Sequence, residues 1–136
     1  MDAFDADVLV YACVPDHPLG ERVRALFAES GPAPVGVGST LLIPELLTKP
    51  TRDGSEGELR ALELLLSRLE LLAVDRFTAQ LAVVLGAEYG LRAADATHLA
   101  TAIRAGADRF ITNNRRDFGS AVEEIDIIYP DGLRAT

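Results

Sequence analysis

The chain has 136 residues, which is enough for one domain whose core needs neither a disulfide nor a metal to hold it together. Its 21 acidic residues outnumber 13 basic ones, and the formal net charge of −8 excludes a general electrostatic attraction to nucleic acid. The apolar runs are too short to span a bilayer and the first residues are acidic, so we expect a cytoplasmic protein with no membrane contact.

Strand-like and helix-like segments alternate along the whole sequence. The first residues, "DAFD", predict a strand, whereas the following "VLVYA" suits either a strand or a helix capped by the preceding aspartate. Two clusters of proline, glycine and charged residues, at 29–34 and 49–58, predict loops. Further strands are predicted at "PVGVG", "ELLAV", "RFIT" and "IDIIY", and helices are predicted over residues 17–30, 39–47, 58–69, 77–89 and 91–106.

The helix ends and the alternation together predict the fold class. Ser39 and Thr40 suit the start of a capped helix, and Gly90 and Gly106 suit the ends of the last two helices. The alternation predicts a single α/β domain over residues 1–136, built as a three-layer α/β/α sandwich with a mainly parallel central sheet. In such sheets ligands bind beyond the carboxyl ends of the strands.

Oxygen-bearing side chains cluster where those strand ends are expected. Carboxylates gathered at one edge of a sheet repel one another, and a hard divalent cation such as Mg2+ prefers such oxygen ligands. Each residue also has a plainer interpretation as a turn residue, a helix cap or a solvated side chain, and taken singly none decides between the two. The residues are Asp5 and Asp7 after the first strand, Glu45 in "LLIPELL", Asp95, and Thr112, Asn113, Asn114 and Asp117 after "RFIT".

Asp95 poses the sharpest problem, because it lies in the small-residue segment "LRAADATHLATAIRAG", whose composition favours helix. On that helix it shares a side with His98, Leu99 and Ala102, so its carboxylate is expected on a buried face. Burying an unpaired carboxylate is costly, and a cation shared with the other acids would compensate it. Alternatively, a helix that begins later would make Asp95 its cap. We expect His98 to be a packed or hydrogen-bonded core residue rather than a metal ligand.

The order of these segments resembles the PIN domain family, and within it the VapC-like ribonuclease toxins of toxin–antitoxin pairs. The matching segments are "FDADVLVYA", "STLLIPELL", "LRAADATHLATAIRAGADRFITNN" and "RRDF", which together span nearly the whole chain. The third is the most specific, since the family repeats an aspartate followed by a small-residue helix, a Gly-Ala-Asp turn and a strand ending in threonine. The resemblance implies an endoribonuclease that hydrolyses RNA phosphodiester bonds with Mg2+ or Mn2+.

The resemblance also assigns roles to the acidic residues. It implies that Asp5 and Asp95 are the principal metal ligands, while Glu45 and a fourth acid hold a second ion or orient the attacking water. The fourth acid is either absent, because the family often has an aspartate where this chain has Asn114, or supplied a few residues later by Asp117.

Three further positions, Asp7, Thr112 and Asn114, are accessory in this scheme. Asp7 stands where the family commonly has Asn or Ser, and it would either strengthen metal binding or add repulsion. Thr112 would donate a hydrogen bond to a phosphate or to a ligand carboxylate.

Partners follow from the same resemblance. It implies a homodimer and a cognate antitoxin protein whose tail covers the acidic pocket with an arginine. Bound cations would let an acidic pocket accept phosphate, and the candidate backbone contacts to RNA are Arg52, Arg92, Arg115 and Arg116.

Two alternatives stay open at this point. "FDADVLV" and "FITNN" also look like parts of haloacid-dehalogenase-type phosphatases, but those need a lysine after the threonine segment and none follows it here. The second alternative is a non-catalytic PIN-like binding protein with a weakened metal site, which the uncharged Asn114 favours.

Overall fold

Strands and helices alternate along residues 1–28 and 31–134, which are the residues that this computed structural model describes. The strands are β1 (Asp2–Phe4), β2 (Gly36–Ser39), β3 (Leu69–Leu72), β4 (Arg109–Ile111) and β5 (Asp126–Ile128). The helices are α1 (Ala6–Ala12), α2 (Pro18–Ala28), α3 (Leu42–Asp53), α4 (Glu56–Ser67), α5 (Arg76–Tyr89) and α6 (Ala93–Arg104), and a single 3-10 turn follows β5 at Pro130–Gly132.

The strands form one parallel sheet in the order β3-β2-β1-β4-β5, which confirms the predicted α/β class. The chain builds outward from the central β1 to β2 and β3, and then crosses back to place β4 and β5 on the other side of β1. The carboxyl end of β1 is therefore the point where the chain reverses direction across the sheet, which is where open α/β sheets bind ligands.

Alternate residues of the central strands face opposite sides of the sheet, as the two-residue period of a strand requires. Phe4 and Ile111 belong to a core shared with α1, α2, α3 and α4. Ala3 and Phe110 belong to a second core shared with α5 and α6. The molecule is thus the predicted three-layer sandwich, with one group of helices on each face of the sheet.

The segment that suited either a strand or a helix is the helix α1. Asp5 directly follows β1 and takes the cap position of α1, where its side chain accepts a hydrogen bond from the Ala6 amide at 2.9 Å. Asp5 is therefore the one residue between the end of β1 and the start of α1, and this short junction fixes it at the edge of the sheet.

The helix predicted over residues 39–47 corresponds to α3, and its predicted bounds are wrong at both ends. Ser39 ends β2 instead of opening a helix, and its hydroxyl accepts from the Leu41 amide at 3.0 Å, so α3 begins only at Leu42. The loop predicted from residue 49 is helical as far as Asp53. Pro50 costs the helix one backbone hydrogen bond, but it is buried, and α3 ends at Gly54, which has a positive φ of 67°.

The other predicted elements lie within a few residues of the observed ones. Gly90 closes α5 in the left-handed conformation, as predicted, and Gly106, one residue beyond the cap of α6, also has a positive φ. The predicted end of α2 at residue 30 and the start of the loop at 29–34 lie outside the described residues. Within the described ranges, every helix is too short or too polar to cross a membrane.

Candidate active site at the carboxyl end of the central strand

Asp5 is the most deeply buried acid of the site, with only 5% of its surface exposed. Its backbone amide continues the β1–β4 pairing by donating to the Ile111 carbonyl at 3.0 Å. One carboxylate oxygen accepts from the Ala6 amide and the other, Oδ2, accepts from the Thr112 hydroxyl at 2.7 Å. Burial raises the pKa of Asp5, although the hydrogen bond from Thr112 works in the opposite direction.

Thr112 links Asp5 to the loop that follows β4. It is fully buried, and its hydroxyl accepts from the Asn114 amide at 3.1 Å while donating to Asp5. The sequence left Thr112 two possible partners, a phosphate or a carboxylate, and the structure places it on the carboxylate.

Asp7 lies in the first turn of α1, on the same side as Asp5. Its Oδ2 accepts from the Asn113 amide at 3.1 Å, whereas its Oδ1 is buried and, within the described chain, has no hydrogen-bond partner. Burial and the neighbouring charge of Asp5 raise the pKa of Asp7 to about 7. A buried carboxylate oxygen with no donor is costly, so this oxygen is a place where a cation would be stabilising.

Asp95 lies in the first turn of α6, three residues after the cap residue Arg92. The interpretation of Asp95 as the helix cap is therefore wrong. The predicted face is present, since His98, Leu99 and Ala102 are buried, but Asp95 itself is only half-buried. Burial raises its pKa, and so do the nearby charges of Asp5 and Asp117.

Glu45 lies in the first turn of α3 and meets a histidine from the opposite layer of helices. Its Oε1 is 2.9 Å from Nε2 of His98, whose side chain is 1% exposed. Glu45 is thus more than a solvated residue on the outside of α3. Its charge also contributes to the raised pKa values of Asp5 and Asp95.

Asp117 and Asn114 form a pair in the loop after β4. The Asn114 side-chain amide donates to Asp117 Oδ2 at 2.9 Å, and the Asp117 backbone amide donates back to Asn114 Oδ1 at 3.2 Å. Asp117 is one of the acids whose charge raises the pKa of Asp95. Asn114 supplies no charge of its own and holds the aspartate in place.

The donors suit a hard divalent cation in their chemistry. They are carboxylate oxygens, which such a cation prefers. The carboxyl groups of Asp5, Asp7 and Asp95 have raised pKa values, and within the described chain the buried Oδ1 of Asp7 lacks a hydrogen-bond donor. In the described part of the chain, however, no three acidic, histidine or cysteine side chains are already gathered as a group able to hold a metal ion. A cation would have to draw these side chains closer together.

The candidate arginines differ in their availability. Arg115 stacks over the Tyr129 ring at 4.1 Å and forms an ion pair with Asp131, so its charge is already engaged. Arg52 lies near the far end of α3, beside Asp53. Arg92 and Arg116 are exposed and, among residues 1–28 and 31–134, form no ion pair; they flank Asp95 and Asp117 in sequence.

One contact of the site has no signal in the sequence. Glu45 and His98 are 53 residues apart and lie on helices of opposite layers. The spacing of His98 from Asp95 predicts only a shared helix face, and His98 was expected in the core, which the structure confirms. Its partner emerges only from the packing of α3 and α6 around the sheet edge.

These features define a class: a three-layer α/β/α protein with an acidic site at the switch point of a parallel sheet. The family model of the PIN domain matches residues 3–123, and the chain belongs to the PIN domain family. Membership of this family argues against the phosphatase alternative.

Solved structures resemble the chain over nearly its full length. A toxin–antitoxin complex from Klebsiella pneumoniae has a chain that is 25% identical, with a TM-score of 0.75, over 96% of this chain and 98% of that one. VapBC from Salmonella typhimurium bound to DNA gives 22% identity and a TM-score of 0.74 over 95% and 97% of the two chains. VapBC2 from Rickettsia felis bound to a promoter DNA fragment gives 19% and 0.73 over 94% and 97%. The last two likenesses concern the fold alone, and a comparison with curated proteins returned no match.

Proposed function

We propose that this chain is the toxin component of a toxin–antitoxin pair and acts as an endoribonuclease that needs Mg2+ or Mn2+. The observation that carries the proposal is the convergence of Asp5, Asp7 and Asp95 at the switch point of a PIN fold, where the charge of Asp5 raises the pKa values of both Asp7 and Asp95. Carboxylates that repel in the absence of a cation are suited to sharing one.

The proposed roles follow the contacts of each side chain. Asp5 and Asp95 would hold the ion, and Thr112 would keep the Asp5 carboxylate turned toward it through the hydrogen bond to Oδ2. Glu45 and Asp117 would hold a second ion or orient the attacking water. A bound divalent ion supplies an acidified water and neutralises charge on the scissile phosphate.

RNA binding has to overcome the net negative charge of the chain. Arg92 and Arg116 are the best candidates to contact the phosphate backbone, since both are exposed and stand next to the acidic site in sequence. Arg52 and Arg115 are weaker candidates because acidic neighbours already engage them.

The proposed partners are a cognate antitoxin and a second copy of the chain, in the cytoplasm where the RNA substrate is found. Support comes from the likeness to a chain of the Klebsiella pneumoniae toxin–antitoxin complex. An antitoxin segment with an arginine would supply to the acidic pocket the positive charge that its own residues lack.

The test is cleavage of a mixed RNA substrate by purified protein with Mn2+ or Mg2+. We expect cleavage that EDTA stops and that Asp5→Ala or Asp95→Asn reduces at least tenfold, because even the loss of a residue that only orients a metal ligand costs about 10- to 100-fold in metal affinity or activity. Asp126→Asn is the matched control, because Asp126 is exposed and begins β5 at the opposite edge of the sheet. Cleavage that survives both EDTA and Asp95→Asn would contradict the proposal.

A second candidate function is a PIN-like protein that binds partners without catalysis. Two observations favour it: Asn114 is uncharged, and the acids are not pre-assembled as a metal-binding group in the described residues. Thermal unfolding with and without millimolar Mn2+ separates the two, because only a metal-binding site raises the melting temperature.

A further inference from the structure

The contact between Glu45 and His98 connects the two helical layers at the edge of the sheet. Glu45 is on α3, which packs on the face that holds Phe4, and His98 is on α6, which packs on the face that holds Phe110. The two side chains meet at 2.9 Å. The histidine is buried, whereas 31% of the Glu45 side chain is exposed.

The direction of this hydrogen bond follows from the surroundings of the ring. A carboxylate only accepts, so Nε2 carries the hydrogen and donates it to Oε1 of Glu45. The other ring nitrogen, Nδ1, is buried and has no hydrogen-bond partner within the described chain. A hydrogen on Nδ1 would be buried without an acceptor, which is costly. The arrangement therefore favours the tautomer with hydrogen on Nε2.

This contact engages Oε1 of Glu45, and within residues 1–28 and 31–134 the other carboxylate oxygen forms no hydrogen bond and is available to a ligand. The carboxylate is held near the acidic site, because its partner His98 lies one helical turn beyond Asp95 on α6. Side chains that hydrogen-bond to a metal ligand fix its orientation, and their loss costs about 10- to 100-fold in metal affinity.

We infer that His98 is a positioning residue, which holds Glu45 at the metal site through its Nε2 hydrogen. The inference rests on the proposed metal-dependent function. It goes beyond a packing role, because it requires a donor at the position of Nε2 and none at the position of Nδ1.

Two amide substitutions separate these positions. The side-chain amide of His98→Gln reaches where Nε2 lies and restores the donor, whereas the shorter amide of His98→Asn lies where Nδ1 is and does not. Thr101→Val is the control for loss of a buried polar group from α6, because Thr101 is buried and, among the residues that the structure describes, its hydroxyl bonds only to the Thr97 carbonyl of its own helix.

The measurement is the Mn2+ dissociation constant from titration calorimetry or electron paramagnetic resonance. We expect His98→Asn to weaken Mn2+ binding about tenfold or more, and His98→Gln and Thr101→Val to stay within about threefold of the parent protein. In a Glu45→Ala background, His98→Asn should have no further effect.

Each other outcome has a definite meaning. Equal affinities for the Asn and Gln variants, whether both parent-like or both weakened, would overturn the inference, because the donor position would not matter. A parent protein that binds no Mn2+ would refute the metal site, and the inference with it. If His98→Asn does not fold, nitrogen-15 NMR of His98 in the parent decides: hydrogen on Nδ1 overturns the inference, and hydrogen on Nε2 that exchanges faster in Glu45→Ala supports it.

Discussion

The partly buried carboxylate of Asp7 predicts a specific dependence of stability on pH. Burial and the Asp5 charge raise its pKa from 3.8 to about 7 in the folded protein. Between about pH 4 and about pH 7 the folded chain therefore holds a proton that the unfolded chain has lost. The sign is fixed: the free energy of unfolding falls as pH rises through this window, and it levels off above about pH 8.

The size of the effect is bounded by the same values. A pKa that moves from 3.8 to about 7 corresponds to at most about 4 kcal/mol. Asp7 is only partly buried and water screens part of the interaction, so we expect about 1–3 kcal/mol. Asp7→Asn removes this contribution and should therefore flatten the fall between about pH 4 and about pH 8.

The assay is urea unfolding in metal-free buffer, followed by circular dichroism at several pH values. The informative quantity is the change between low and high pH, because the cost of burying an amide in the Asp7→Asn variant does not depend on pH and cancels. Asp126→Asn, an exposed aspartate outside the site, should keep the parent slope. Parallel curves for the parent protein and Asp7→Asn would refute the electrostatic reasoning.

Three further predictions test other contacts. Saturating Mn2+, at about 100 times its dissociation constant, should stabilise the parent by about 2.7 kcal/mol and leave Asp95→Asn unchanged in calorimetry; an equal shift in both would contradict the site. Thr112→Val removes the hydrogen bond to the buried Asp5 and should lower the unfolding free energy by about 1–3 kcal/mol, which urea titration measures; no loss would show that the bond is not needed. Gly20→Ala should lower the free energy of unfolding by about 1–3 kcal/mol, because the added Cβ would lie 2.0 Å from a backbone carbonyl oxygen of α1. Gly57→Ala on α4 should raise it slightly, because the added Cβ there meets open space. Equal melting temperatures for the two variants would contradict the close packing of Gly20 against α1.

Patterns that repeat along the chain predicted the fold well, because alternation of strand and helix leaves few topologies for a parallel sheet. The errors fall where two signals compete within a few residues. Ser39 carries a capping side chain but belongs to a buried strand, and Pro50 is a helix breaker that burial keeps within α3. In both cases burial in the core outweighs the local conformational preference of the residue.

The contacts of the candidate site also fall into two groups, those that strand order predicts and those that depend on helix packing. That Asp5 and Thr112 meet follows from one rule, since both come directly after parallel neighbouring strands. The contact of Glu45 with His98, and the Asp7 oxygen that lacks a donor, depend on how helices cross the sheet edge. The spacing of apolar residues does not determine the angles at which helices pack. The sequence therefore places Glu45, His98 and Asp7 in one region but does not predict their hydrogen-bond partners.

The charge of the acidic site explains how its proposed cation binding should depend on pH. Within the described residues, Asp5 and Asp7 are hydrogen-bonded by a hydroxyl and backbone amides and by no cationic side chain, so proton uptake relieves their repulsion. A cation relieves the same repulsion and must displace that proton.

With a pKa of about 7 for Asp7, displacing one proton makes Mn2+ binding about tenfold weaker at pH 6 than at pH 8. Titration calorimetry at the two pH values measures this ratio, and Asp7→Asn should reduce it toward one. An affinity that does not change with pH in the parent protein would show that the cation and the proton do not compete for these carboxylates.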